Sequence, residues 1–163
     1  MRVYGITGWK NTGKTTLTER LVAHFTAQGL RVSTVKHAHH DTEIDHPGRD
    51  SFRHRQAGAG QVIVASPARW AVMTELRGAA EPPLADLLAH LAPCDLVLVE
   101  GYKHAPHPKI EAHRAVTGRT LLAPGNPTIR AIASDSAPQI ALPLFDLDDI
   151  PAIAAFIRSE VHL

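Results

Sequence analysis

The feature that most constrains this chain is an octapeptide near its N-terminus, Gly-Trp-Lys-Asn-Thr-Gly-Lys-Thr, at residues 8–15. It matches the pattern G-x-x-x-x-G-K-[ST] at every fixed position. The pattern needs a strand before it and a helix after it, because the loop presents its N–H groups at a helix N-terminus. Residues 3–7 are β-prone, and residues 16–28 show helical apolar spacing before a C-cap at Gly29. This context predicts a loop that binds the phosphates of a nucleoside triphosphate with Mg²⁺.

The residue types of the loop suit that chemistry. Gly8 and Gly13 allow the backbone to curl around one anion. Lys14 is expected to reach the β- and γ-phosphates, and Thr15 to offer its hydroxyl to Mg²⁺. Thr16 is a candidate contact to the α-phosphate.

Length and composition narrow the class of protein. The chain has 163 residues, 44% of them apolar and 20% charged, which predicts one soluble globular domain over residues 1–163. The net charge of +1 gives no basic surplus for nucleic acid. We find no apolar run long enough for a membrane span and no signal-peptide pattern. Because Cys94 is the only cysteine, no disulfide framework is possible, and we expect a cytoplasmic protein.

The rest of the sequence alternates between strand and helix patterns. Further strands are predicted at 31–36, 61–65, 70–74, 96–99, 109–112 and 128–133. Further helices are predicted at 49–59, 81–91 and 149–161. This alternation indicates an α/β fold, a mainly parallel sheet flanked by helices, as in P-loop NTPases. Since ligands bind at the carboxyl ends of such strands, the segments after Lys36 and Val99 should meet the P-loop.

An acidic residue ends the most apolar of these strands. Leu96–Val99 is a continuous apolar run, typical of a central strand buried on both faces, and Glu100 follows it. A carboxylate at that point can hold Mg²⁺ or orient a water, as in a Walker B strand. Glu100 is therefore predicted as a metal ligand and catalytic group beside Thr15.

The polar segment 36–46 allows three interpretations. Its histidines could form a transition-metal site, although their spacing fits no standard zinc pattern. It could be a switch-like loop near the γ-phosphate, with Asp41 or Asp45 near Mg²⁺, or a solvated loop. Its place after the second strand favours the nucleotide loop. Arg49, Arg53 and Arg55 follow, and one of them could serve a second anionic substrate or act across a dimer interface. A solvated basic helix face is the simpler interpretation for any single arginine.

Several blocks, taken together, resemble one family. They are the P-loop with Thr16, Val-Lys-His-Ala-His-His-Asp at 35–41, His-Pro-Gly-Arg-Asp-Ser-Phe-Arg-His-Arg-Gln-Ala-Gly-Ala at 46–59, Asp-Leu-Val-Leu-Val-Glu-Gly-Tyr-Lys at 95–103, and Pro-Lys-Ile-Glu at 108–111. In this order they resemble the molybdopterin-guanine dinucleotide biosynthesis adaptor family, MobB, over residues 3 to about 135.

The resemblance implies a homodimer with a P-loop GTPase-like fold that binds GTP with Mg²⁺ and hydrolyses it slowly at most. It implies assistance to a partner nucleotidyltransferase, MobA, which joins GMP to molybdopterin; molybdopterin itself is a further candidate ligand. Carried onto this sequence, the phosphate contacts lie within Gly8–Thr16, including Asn11, Thr12, Gly13 and Lys14. The switch-like region comprises Lys36, His37, Asp41 and Asp45. The candidate catalytic groups are Lys14, Glu100 and Asp45.

Two positions depart from better-known P-loop patterns. The Asn-Lys-x-Asp guanine motif of GTPases is absent, and Asp135, after a late predicted strand, is the candidate acceptor for the guanine N1 and N2 groups. The signature lysine of dimeric P-loop ATPases would follow Gly8 directly, but that position is Trp9. A lysine acting across a dimer is therefore not expected from this loop.

Two other functions stay open at this point. A small-molecule kinase would use the same P-loop, but it needs a lid and an acceptor base. A metal-delivery GTPase is suggested by the eleven histidines.

Overall fold

The computed structural model describes residues 1–38 and 43–163, which form two compact units. The first unit comprises residues 1–37 and 84–163, and the second comprises residues 38–83. The prediction of one domain over residues 1–163 stays a prediction.

The first unit is built on a six-stranded sheet. Its strands are β1 (Arg2–Thr7), β2 (Val32–Lys36), β5 (Leu96–Glu100), β6 (Lys109–His113), β7 (Ile129–Ser134) and β8 (Leu144–Asp146). The strand order is β2-β5-β1-β6-β7-β8, and all five neighbouring pairs are parallel. The helices are α1 (Lys14–Ala27), α3 (Leu84–Ala89) and α4 (Ile150–Val161), with short 3-10 turns at Ala115–Thr117 and Ala123–Gly125. The predicted α/β class with a mainly parallel sheet is confirmed.

The core explains why these elements form. Every residue of β5 is buried, as expected for a parallel strand with both faces covered. Leu17, Leu21 and Phe25 recur on one face of α1 and pack with Ile153 and Ile157 of α4 over the central strands. This packing fixes the first turn of α1 directly beyond the end of β1.

The N-termini of the two long helices differ. The Asp149 side chain caps α4 by accepting the Ala152 N–H at 3.1 Å, and Pro151 occupies its first turn. The residue before α1 is Gly13, which has no side chain to cap it. Among the described residues, the first turn of α1 is thus left without a side-chain cap, the arrangement that suits an external anion.

The second unit contains α2 (Asp50–Gln56) and an antiparallel hairpin of β3 (Gln61–Ala65) and β4 (Trp70–Thr74). Val62 and Met73 are cross-strand partners, and both are buried. The opposite face carries the pairs Ile63–Val72 and Ala65–Trp70. On it, Ile63 is 67% exposed and Trp70 is 70% exposed.

Within residues 1–38 and 43–163, no helix is long and apolar enough to cross a membrane.

Candidate nucleotide site

The loop between β1 and α1 has an unusual backbone. Gly8, Asn11 and Gly13 all have positive φ, at 140°, 66° and 92°. A Cβ at Gly8 would lie 2.4 Å from the carbonyl oxygen of Ala112, so only glycine fits there. Left-handed residues alternating with right-handed ones are typical of concave nests in which N–H groups face an anion. The loop, with the uncapped first turn of α1, therefore forms an anion-binding geometry.

The loop lysine is held within the loop itself. The Lys14 ammonium donates to the carbonyl oxygen of Trp9 at 2.6 Å, and the Thr12 hydroxyl donates to the same oxygen at 2.9 Å. Burial is the main cause that lowers the pKa of Lys14; Glu100 raises it, and Lys103 and Lys36 lower it further. An excess of positive charge therefore surrounds Lys14, and a bound polyphosphate would neutralise it.

The two predicted metal ligands meet at the end of β5. The Thr15 hydroxyl donates to a Glu100 carboxylate oxygen at 2.9 Å. The sheet register pairs Glu100 with Ile6 on one side and with Lys36 on the other, and the Lys36 ammonium is 3.7 Å from the same carboxylate oxygen.

This donor set fits Mg²⁺. The ion prefers oxygen ligands and takes one or two from the protein, completing its shell with water and phosphate. Thr15 and Glu100 would hold it. The described residues contain no group of three or more His, Cys, Asp or Glu side chains arranged for a metal ion.

A cleft of about 400 Å³ lies over the loop. It is lined by Asn11, Gly13, Lys14, Thr15, Thr16 and Arg114. Arg114, which follows β6 directly, is a site residue that the sequence does not predict. Its guanidinium Nε would be 3.1 Å from a Cβ placed on Gly13. Arg114 comes three residues after the block Pro-Lys-Ile-Glu, but placing it at this site requires knowing that β6 lies beside β1.

The candidate guanine-binding residue lies just beyond β7. Asp135 accepts the Ala115 N–H at 2.9 Å, and its other oxygen is 3.9 Å from the Arg114 guanidinium. A hollow of about 290 Å³ adjoins it, lined by residues 134–136 and 144–146. Because a carboxylate has about four acceptor positions, Asp135 can accept further N–H groups.

The predicted switch-like residues fall in different places. The His37 N–H donates to the Glu100 carbonyl at 2.9 Å, and its ring lies against Tyr102, with centroids 4.7 Å apart. Asp41 lies outside the described residues. Asp45 belongs to the second unit, where its carboxylate is 3.7 Å from the Arg55 Nε, and its catalytic role stays a prediction.

A parallel sheet whose first strand leads through a glycine loop into an uncapped helix defines a P-loop NTPase-like fold. Solved MobB structures share it. The MobB homolog from Bacillus stearothermophilus has a TM-score of 0.69 and 30% identity, covering 98% of this chain and 99% of that one. Bacillus subtilis MobB has a TM-score of 0.77 and 26% identity, and the match covers 99% of this chain and 98% of that one.

Residues 3–135 match the sequence model of one family, MobB, described as molybdopterin guanine dinucleotide synthesis protein B. The chain belongs to this family. Two relatives are both named molybdopterin-guanine dinucleotide biosynthesis adapter protein. The one from Haemophilus influenzae is 42% identical over 161 residues, covering 97% of this chain and 88% of the relative. The one from Escherichia coli is 40% identical over 152 residues, and the match covers 91% of this chain and 87% of the relative.

Proposed function

We propose that this chain is a GTP-binding adapter in the synthesis of molybdopterin guanine dinucleotide, assisting the enzyme that attaches GMP to molybdopterin. Membership of the MobB family and the names of the two relatives support a role in molybdopterin guanine dinucleotide synthesis. The observation that carries nucleotide binding is the uncapped N-terminus of α1, with Lys14 beside it and Thr15 bonded to Glu100. A partner enzyme of the MobA type follows from the adapter role, and molybdopterin is a further candidate ligand.

In this proposal, backbone N–H groups from Gly8 to Thr16 hold the phosphates, and Lys14 turns from the Trp9 carbonyl to them. Asn11 and Thr12 shape the loop. Mg²⁺, held by Thr15 and Glu100, would neutralise charge on the β- and γ-phosphates.

The base would lie toward the ends of β7 and β8. Asp135 adjoins the hollow there, and a carboxylate matches the two N–H donors on the edge of guanine. Adenine lacks that pair of donors. An Asp135→Asn protein should therefore lose preference for GTP over ATP, and an unchanged preference would remove Asp135 from the proposal.

We propose slow hydrolysis because Glu100 is already engaged. Its carboxylate accepts from Thr15 and lies near Lys36, which suits a metal ligand better than a base that activates water. Turnover well below the roughly ten per second of a median enzyme is expected.

We also propose a homodimer, supported by the exposed hairpin face of Ile63, Val72 and Trp70. An Ile63→Ser, Trp70→Ser protein should be monomeric by light scattering, whereas Val116→Ser, at an apolar side chain 87% exposed elsewhere, should not change the mass. A cytoplasmic location is supported by Cys94, which is free.

The test of the central proposal is calorimetric titration with GTP and ATP, each with and without Mg²⁺. We expect GTP to bind more tightly than ATP, and Mg²⁺ to strengthen binding. Lys14→Ala should abolish binding, because it removes the cation nearest the phosphates. Equal binding by Lys14→Ala and the parent protein would refute nucleotide binding at this loop.

A further inference from the structure

The second residue of the P-loop is a tryptophan held at both ends. Its carbonyl oxygen accepts from Thr12 and Lys14. Its indole Nε1 donates to the carbonyl of Thr120 at 2.8 Å. The ring is therefore fixed in position beside the phosphate loop.

A lysine from another loop lies over this ring. Lys103, in the segment between β5 and β6, places its ammonium 4.3 Å from the ring centroid of Trp9. Throughout the described parts of the chain, this ammonium has no hydrogen-bond acceptor and no acidic side chain in ion-pair distance. A contact with a ring face is weak beside a charge-assisted hydrogen bond. Among the described residues, Lys103 is thus a positioned cation without an ion-pair partner.

The backbone of Lys103 is held independently of its side chain. The Asn126 side-chain amide donates to the Lys103 carbonyl at 2.7 Å, and the Asn126 oxygen accepts from both the N–H and the hydroxyl of Thr128. The loop can therefore keep its course while the Lys103 side chain changes partner.

Trp9 brings Lys103 close to the loop lysine. Lys14 is bonded to the Trp9 carbonyl while Lys103 lies on its ring, and the Lys103 charge helps to lower the pKa of Lys14. Arg119 lies over the same ring at 5.6 Å, and like charges gathered at one residue are unfavourable until an anion joins them. Lys103 also follows Glu100 by three positions, and the charges of both residues act on Lys14.

We propose that Lys103 leaves the Trp9 ring to bind the terminal phosphate of the nucleotide, and so makes the site prefer a triphosphate over a diphosphate. This rests on the proposed nucleotide binding. Mg²⁺ held by Thr15 and Glu100 would neutralise charge beside the terminal phosphate, and Lys103 would add a second cation there. Two cations of the same chain face the Trp9 ring, and the Lys103 ammonium, 4.3 Å from its centroid, is nearer than the Arg119 guanidinium at 5.6 Å.

The test compares affinities for GTP and GDP, with Mg²⁺, in three variants of the full chain. Lys103→Met removes the charge and keeps the length of the side chain. We expect it to weaken GTP binding about tenfold to a hundredfold and GDP binding less than about threefold, as the loss of one charge-assisted hydrogen bond predicts. Lys103→Arg should restore most of the preference. Arg119→Met removes an exposed cation that lies 5.6 Å from the centroid of the same ring but outside the P-loop, and should leave the preference unchanged.

A second readout follows the ring itself. In a Trp70→Phe background, Trp9 is the only tryptophan. GTP with Mg²⁺ should change its emission by removing Lys103 from the ring, GDP should change it less, and Lys103→Met should abolish the difference.

A folded Lys103→Met protein that keeps the parent's preference for GTP would overturn the proposal. Loss of the helical circular dichroism signal in Lys103→Met would also overturn the proposal, because it would show that the Lys103 side chain is needed for folding. If the parent protein binds neither nucleotide, the proposed function itself fails, and this result is distinct because it appears before any variant is made.

Discussion

His107 should make the stability of this protein depend on pH in mildly acidic solution. Its ring lies against the backbone of Gly5, where an added Cβ would be 2.6 Å from the His107 Nε2. That nitrogen is buried and has no hydrogen-bond partner among the described residues. Burial, with a smaller contribution from the Lys109 charge, lowers the pKa of His107 from 6.5 to about 4.

The sign and size of the effect follow from proton linkage. The unfolded chain binds a proton near pH 6.5, and the folded protein binds it only near pH 4. The stabilisation from neutral His107 is thus complete above pH 6.5 and is lost as the pH falls toward 4. At about 1.36 kcal/mol per pKa unit the loss would be about 3 kcal/mol, and partial exposure of the ring reduces it to about 2 kcal/mol.

Urea unfolding at several pH values between 7.5 and 4 measures this loss. His107→Phe keeps a ring and removes the titration, so its free energy of unfolding should fall less than that of the parent, by about 2 kcal/mol over the range. His104→Phe changes an exposed histidine in the same segment and should follow the parent. Parallel curves for His107→Phe and the parent would refute the reasoning.

Three further outcomes are expected. Glu100→Gln keeps an acceptor for Thr15 and removes the charge. Mg²⁺ should then strengthen GTP binding at least about tenfold less than in the parent protein, as measured by calorimetry. An unchanged effect of Mg²⁺ would remove Glu100 from the metal site. Gly29 has a φ of +83° and open space around it, so Gly29→Ala should cost about 1 kcal/mol. Gly8→Ala should lower the free energy of unfolding by clearly more, and equal losses in thermal unfolding would show that the loop has room for a methyl group. Arg55→Met leaves the carboxylates of Glu43, Asp45 and Glu75 without their cation, and should destabilise the second unit. Hydrogen exchange in β3 and β4 should become faster, and unchanged exchange would contradict this.

Much of the fold could be predicted because its signals are local. The hairpin strands Gln61–Ala65 and Trp70–Thr74 have the predicted bounds, and the predicted apolar run Leu96–Val99 differs from β5 by one residue. The sequence does not predict β8, because Leu144–Asp146 is too short to show a period and follows Pro143.

Less of the site could be predicted, because it depends on strand order. Glu100 could be placed beside Thr15 from the rule that strand ends converge, and the structure brings the two within 2.9 Å. Arg114 could not, since nothing in Lys109–His113 tells which strand lies next to β1. Lys103 ends the block at residues 95–103, but its contact with Trp9 joins residues far apart in sequence and cannot be predicted from either segment.

The order of the sheet also governs when the site can exist during synthesis. The neighbours of β1 are β5 and β6, so the strand that carries the P-loop is paired only with residues from 96 to 113. At roughly 5–20 residues per second, a ribosome needs several seconds to make the intervening chain. Until then Gly8 has no Ala112 carbonyl beside it and Thr15 has no Glu100. The loop that looks most complete in the sequence is therefore among the later parts of the molecule to acquire its native surroundings.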